Sequence, residues 1–194
     1  MRTLDLGCGS AKAEGAFGVD HRSLEGVDLV HDLDARPWPI PDGAFDRVVA
    51  SHVIEHIDDL IGFFSEVHRV AADSATVIVA TPHFSNRCAY LDPTHRRRFS
   101  ARSLEFFGSG KPWKPAGRFA VARSWLFQHH HDVKPLAPEG DFTLESVRLT
   151  FSRFFRFLGI EALANAKTDF YEFYLAFVFP ARDIVATLKV HKRT

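Results

Sequence analysis

The sequence predicts an α/β fold: one domain over residues 1–194 holding a doubly wound, mostly parallel, seven-stranded sheet, with a long insertion at 83–140 after strand five. Three observations predict it. Short apolar runs end on glycines or carboxylates, as Thr3-Leu4-Asp5-Leu6 does before Gly7 and Gly9, and as Phe17-Gly18-Val19 does before Asp20. Such runs read as buried parallel strands whose carboxyl ends face a ligand edge. Helical periodicity lies between strand-like runs, with Leu60, Phe64, Val67 and Ala71 recurring at spacings of four and three. Finally, the strand candidates are interleaved with helices or loops along the whole chain.

Strand one covers residues 3–6 and strand two residues 17–19. Between Gly9 and Phe17 there are too few residues for a three-turn crossover helix, so at most one turn is expected. Residues 27–33 read as strand three, ending in Asp32-Leu33. Pro37, Pro39 and Pro41 alternate in the next segment, which excludes helix and central strand and makes it a loop. Strand four spans 45–51. A helix follows from an N-cap at Asp58 to about Ala71. Strand five spans 75–82 and ends at Pro82. The insertion carries a short helix at 101–107 between Ser100 and Gly108. Val147, Leu149 and Phe151 alternate with polar residues and suggest strand six. Residues 153–166 are ambiguous with a helical leaning, and Asp169 with Glu172 fits a capping box for a helix to about Phe177. Ile184, Ala186, Leu188 and Val190 alternate through the final strand.

Composition narrows the function classes. Lys plus Arg equals Asp plus Glu at 24 each, so the formal net charge is zero. That argues against nucleic acid or an anionic membrane as the main partner, because both need a basic field. Two cysteines, Cys8 and Cys88, form no disulfide framework, and a reduced, cytoplasmic setting is expected. Arg2 and Asp5 interrupt any apolar start, so no secretory leader is expected, and Phe173 to Phe179 is too short to span a bilayer. Nineteen phenylalanines point to an aromatic-rich core.

The chemistry concentrates at the first turn. Gly7 and Gly9 allow a sharp turn and let a ligand approach bare N–H groups. The third glycine of a dinucleotide fingerprint is missing, since that position holds Lys12, and no Gly-Lys-Ser/Thr follows to make a P-loop. Leu4-Asp5-Leu6-Gly7-Cys8-Gly9 instead resembles the first motif of class I S-adenosylmethionine-dependent methyltransferases. Val19-Asp20, Asp32-Leu33 and the block from Phe45 to Ile57 match the same family, so the likeness covers about the first hundred residues. It is nearest to a compact, type 11-like subgroup with a short first crossover.

The resemblance implies a Rossmann-like sheet in which strand seven is antiparallel and inserted between five and six. It implies S-adenosylmethionine as cofactor, held by Leu6, Gly7, Cys8, Gly9, Asp20, Asp32, Leu33, Ser51 and His52. Gly7 and Gly9 would face the methionine part and Asp20 the ribose hydroxyls. Asp32 and the Leu33 backbone would meet the adenine edge, and the Ser51 carbonyl the ligand's amino group. Asp5 is expected to brace the glycine turn.

A methyl acceptor that is protonated at neutral pH needs a base, and histidine titrates in that range. His83 follows strand five, where this fold reaches its acceptor, and His95 lies in a proline turn that could present it beside Asp92. His83, His95 and Asp92 are therefore the expected catalytic set, with His56 read as packing beside the cofactor. Thr81-Pro82-His83-Phe84 departs from the Asn-Pro-Pro-Tyr of amino-group methyltransferases of nucleic acids. No metal site is expected: His129, His130 and His131 are read as a solvated loop, and Arg96, Arg97 and Arg98 as a solvated face or local anion site. The expected function is methyl transfer to a small-molecule acceptor. The net basic stretch from Lys111 to Lys134 favours an anionic one, and the insertion at 83–140 is expected to supply its pocket and cap. The alternatives are a catalytically silent cofactor-binding module acting through a partner, and an RNA methyltransferase using the arginine run.

Overall fold

The computed structural model of the chain describes residues 1–108 and 141–192. Strands β1 (Thr3–Leu6), β2 (Phe17–Asp20), β3 (Leu29–Val30), β4 (Phe45–Ser51), β5 (Ala71–Pro82), β6 (Phe142–Leu149) and β7 (Asp183–Val190) form one sheet. Its order is β3-β2-β1-β4-β5-β7-β6. Pairing from β3 through β5 is parallel, and β7 runs antiparallel to both neighbours, β5 and β6. This is the order that the resemblance implies. The chain winds outward from β1 to β3 and then crosses back to lay β4 against the other side of β1. Ligand crevices form at such a switch point, outside the carboxyl ends of the strands.

Helix α1 (Leu60–Val70) starts one residue later than expected, because Asp59 rather than Asp58 accepts the N–H of Gly62 through its side chain. Its buried face includes Leu60, Phe63, Phe64, Val67 and Val70, which lie in one cluster with Leu4, Leu6, Val48, Val77 and Val79 of the sheet. Each large side chain removed from water there contributes roughly 1.5–3 kcal/mol. Phe64 stacks on Phe107 with ring centroids 4.1 Å apart, which docks the 3-10 turn Ser103–Phe107 on the core.

Several elements depart from the sequence expectation for local reasons. Strand β3 holds two residues: the N–H of His31 makes the last ladder bond, to the carbonyl of Asp20, and Asp32 Oδ1 then takes the N–H of Asp34 in a tight turn. Strand β6 begins earlier, at Phe142, with a bulge between Leu144 and Ser146 against β7. The helical stretch after it breaks at Gly159 (φ 75°) into α2 (Arg153–Phe157) and α3 (Ile160–Ala166). The Asp169 capping box is absent. Asp169 instead pairs with Arg102, and the chain continues as Thr168–Phe170 and a π turn, Tyr171–Leu175.

The aromatic core is partial. Phe63, Phe64, Phe107, Phe142 and Phe151 are buried, whereas Phe157 is 87% and Phe177 78% exposed. Across residues 153–178, Ala164, Tyr171 and Ala176 are buried, while Phe154, Phe157, Phe170, Phe173 and Phe177 are exposed. The insertion is described for 83–108 alone; Trp113, the basic stretch and the histidine tract lie outside the described residues. No helix among the described residues is long and apolar enough to cross a membrane.

Candidate functional site

The first turn is shaped by glycine chemistry. Gly7 and Gly9 have φ of 64° and 53°, the left-handed region that a side chain strains. A Cβ on Gly7 would stand 2.1 Å from Cγ2 of Val53, so β1 and the segment after β4 approach closely only without one. Around Gly9, nothing lies within 4 Å of such a Cβ, which leaves open space over the turn. The loop from Gly9 to Phe17 contains no helix, in line with its length.

Carboxylates hold this turn. Asp5 Oδ2 accepts the N–H of Ala13 at 2.7 Å, the bracing role expected of it. Asp20 is only 3% exposed; Oδ2 accepts from Gly9 and Oδ1 from Arg22, both at 2.9 Å. Burial pushes the Asp20 carboxyl up, but these two N–H donors, with His21 and Arg22 nearby, outweigh it and hold it below the usual range. Cys8 is buried behind the turn, and burial together with Asp5 and Asp20 pushes its thiol up, so it stays protonated. At the neighbouring strand ends, Asp32, Ser51 and His52 are exposed and Leu33 is buried, its carbonyl accepting from Trp38 Nε1. The expected cofactor set thus lies along one edge, at the ends of β1, β2, β3 and β4. The open space above Gly9 and the exposed strand ends fit a nucleoside-linked ligand.

Beyond β4 a cavity of about 460 Å³ opens. It is walled by His52, Glu55 and His56 after β4, Pro82 at the end of β5, Asp92 and His95 from the insertion, and Arg182 and Asp183 leading into β7. His52 has φ 55°, and its N–H donates to the carbonyl of Ala80, which fixes this turn beside β5. The Glu55 carboxylate beside it raises the His52 imidazole above its ordinary range, against the opposite pull of half-burial, and Asp183 adds to the rise. Asp92 accepts from the Thr94 hydroxyl at 2.6 Å and from its N–H at 2.8 Å, and both hold its carboxyl below the ordinary range.

Of the expected catalytic residues, His95 and Asp92 reach this wall and His83 does not. His83 is fully buried, Nε2 lies 3.0 Å from Glu172 Oε1, and Nδ1 accepts the N–H of Ser85 at 3.2 Å. With both nitrogens partnered and no exposure, His83 is a clamp between the end of β5 and the C-terminal helices, not an acceptor-facing base. His56, read as a packing residue, lies on the cavity wall. Glu55 and His56 were the functional candidates missed; their signal was the Glu-His pair immediately after a strand at the ligand edge. The arginine run is engaged by this chain. Arg96 donates to the carbonyl of His56 and pairs with Asp58, and Arg97 donates to the carbonyls of Ile57 and Asp58. Arg98 lies over the Tyr90 ring. These contacts lock the insertion onto the segment after β4.

The sheet order, the glycine turn and the carboxylate at the end of β2 together define a class I S-adenosylmethionine-dependent methyltransferase domain. A family model described as a methyltransferase domain matches residues 1–107, more than half of the chain, and the chain belongs to that family. Family membership brings S-adenosylmethionine as the cofactor. The chain is 40% identical over 82 residues to a protein of Mycolicibacterium smegmatis assigned as an S-adenosylmethionine-dependent methyltransferase, covering 40% of this chain and 32% of that one. It is 52% identical over 46 residues to ajmaline N-methyltransferase of Rauvolfia serpentina, covering 24% and 16%. The matched stretches therefore span less than a third of either relative's length. A SAM-dependent methyltransferase of Archaeoglobus fulgidus shares the fold with a TM-score of 0.55 at 18% identity, over 97% of this chain and 85% of that one.

Proposed function

We propose that the chain is an enzyme that transfers a methyl group from S-adenosylmethionine to a small-molecule acceptor seated in the cavity beyond β4. The observation that carries this reading is the adjacency of two unlike sites across one strand end. On one side of Ser51 and His52 lies the open glycine turn; on the other lies a cavity of about 460 Å³. That volume suits a small ligand.

In this reading Leu6, Gly7, Cys8 and Gly9 present backbone to the cofactor's methionine part and Asp20 faces the ribose. Asp32 and Leu33 border the base, and Ser51 and His52 border the amino end. When bound, the cofactor supplies an already activated sulfonium methyl, so alignment of the acceptor provides most of the rate. His95 contacts the acceptor, and Asp92 positions it by fixing Thr94. The described wall holds three carboxylates, Glu55, Asp92 and Asp183, against one arginine, Arg182, so an anionic acceptor gains little from this wall alone. The free thiols of Cys8 and Cys88 support a reducing compartment such as the cytoplasm.

Calorimetry with S-adenosylmethionine, S-adenosylhomocysteine and NAD tests the cofactor half: the first two bind and NAD does not. Transfer of a labelled methyl group into a pool of small metabolites tests the acceptor half. Label entering only RNA, or no turnover by a chain that binds S-adenosylhomocysteine, would overturn it.

A further inference from the structure

The cavity wall holds a cluster that methyl transfer by alignment alone does not require. One donor atom from each of Glu55, His56 and His95 lies within 4.8 Å of the other two. Glu55 is 1% exposed, and its two oxygens differ. Oε2 accepts from the Thr81 hydroxyl at 2.9 Å, while Oε1 is buried with no hydrogen-bond partner among the described residues. The nearby His52 Nδ1 stands 3.3 Å from Oε1, the long contact that raises the His52 imidazole. A carboxylate oxygen accepts at two lone pairs, so with one long contact to an imidazole this buried oxygen still has room for a cation.

The two imidazoles are set to help. Thr94 donates its hydroxyl proton to Asp92 at 2.6 Å, so toward His56 Nδ1, 2.9 Å away, its oxygen can only accept. His56 therefore carries its proton on Nδ1. His95 Nδ1 lies 3.3 Å from the carbonyl of Ala89, an acceptor only, so its proton is on Nδ1 as well. In the neutral form of each ring the Nε2 lone pair is then open, with no partner among the described residues. Outer partners that fix the tautomer in this way are the usual support of histidines that ligate a metal. The Asp92-Thr94-His56 chain has that form, and the Arg96 and Arg97 contacts with residues 56–58 hold the two segments together.

We infer that Glu55, His56 and His95 form a binding site for a divalent transition-metal ion in the acceptor cavity. Two imidazole nitrogens and one carboxylate oxygen suit zinc, iron or manganese better than magnesium, and three protein ligands leave coordination positions open. Donors about 2.1 Å from one ion lie roughly 3–3.5 Å apart, so side-chain rotation has to draw these three inward. The inference rests on the proposed acceptor cavity and deepens it. The acceptor class that fits carries a hydroxyl or carboxylate oxygen able to complete the ion's coordination, and His95 contacts that acceptor through the ion.

The test uses the full, untagged chain. Cobalt(II) is titrated while its visible absorption is followed, and bound zinc is counted after dialysis, with S-adenosylhomocysteine affinity measured separately. The expected result is one equivalent of zinc, visible cobalt bands, and no comparable uptake of magnesium. His56→Ala and His95→Ala should each weaken zinc binding by roughly a hundredfold or more. Thr94→Val, which removes only an outer partner, should weaken it by about ten- to a hundredfold. S-adenosylhomocysteine affinity is expected to stay intact in all three variants, which also reports that they fold. Zinc retained by both histidine variants would overturn the site. So would an absence of cobalt bands in a chain that binds S-adenosylhomocysteine, or binding that vanishes only when His129, His130 and His131 are replaced by alanine. Failure of the methyltransferase reading appears separately, as a chain that binds zinc and no S-adenosylhomocysteine.

Discussion

The cofactor edge and the acceptor side of this molecule are held together in opposite ways. At the cofactor edge the decisive hydrogen bonds are short in sequence: Ala13 to Asp5, Gly9 to Asp20 and Gly18 to Asp28 link residues 8 to 11 apart. On the acceptor side they are long. His83 to Glu172 spans 89 positions, Ala101 to Glu172 71, Arg102 to Asp169 67, and Asn86 to Arg182 96. A local turn can form as soon as its own residues meet. A clamp across the chain forms only after the sheet has brought its ends together. The cofactor edge should therefore tolerate damage to the C-terminal half, while the acceptor cavity should not.

The largest test of that contrast is Glu172→Ala. It strands the buried Nε2 of His83 and the N–H of Ala101, each an unsatisfied group costing about 1–3 kcal/mol. The expected outcome is a fall of roughly 2–4 kcal/mol in unfolding free energy by denaturant titration, with S-adenosylhomocysteine affinity nearly unchanged in the folded protein. Equal losses in stability and affinity would break the comparison.

Asp20→Ala makes the complementary cut. Its carboxylate holds the N–H of Gly9 and is proposed to face the ribose. Hydrogen bonds to charged groups contribute about 1.5–3 kcal/mol, so affinity should fall roughly ten- to a hundredfold by calorimetry. Metal uptake by the acceptor cavity should be unchanged. A wild-type dissociation constant would remove Asp20 from the cofactor site.

The smallest effect is a titration. Arg69 beside Glu66 lowers its carboxyl below the ordinary 4.5 against the pull of burial, and the N–H of Trp38 adds to the lowering. A carboxylate depressed in the folded state contributes stability that is present above pH 4.5 and is lost as pH falls through the folded value. Relative to Glu66→Gln, the native chain should lose about 1 kcal/mol of its advantage on that acid limb, a fraction of one charged hydrogen bond. A stability difference that is flat from neutral pH into acid would show that Glu66 contributes no charge-dependent support.

What could be read from the sequence follows the same division. Strands β1, β2, β4 and β7, the missing first crossover helix, the buried face of α1 and the bracing role of Asp5 were legible, because each depends on periodicity or on turn chemistry within about a dozen residues. The short β3 was not, since Asp32 closes a turn that competes with the ladder. The Asp169 capping box failed for another reason: Arg102, 67 residues away, offers Asp169 a two-point charged pair.

By itself the sequence determined the class I methyltransferase fold, the glycine turn at Gly7 and Gly9 and the edge on which Asp20, Asp32 and Ser51 lie. Strand order and glycine backbone are written in local pattern, and the family match over residues 1–107 draws on the same stretch. Only the tertiary structure decided which histidine is buried and which is available. His83 and His95 look alike in sequence, both polar, both soon after β5. Glu172 arrives from the C-terminal helices to close over one, while Glu55 and His56 come from the end of β4 to meet the other. Burial and partnership are set by segments distant in the chain, and a side chain's chemistry follows from them.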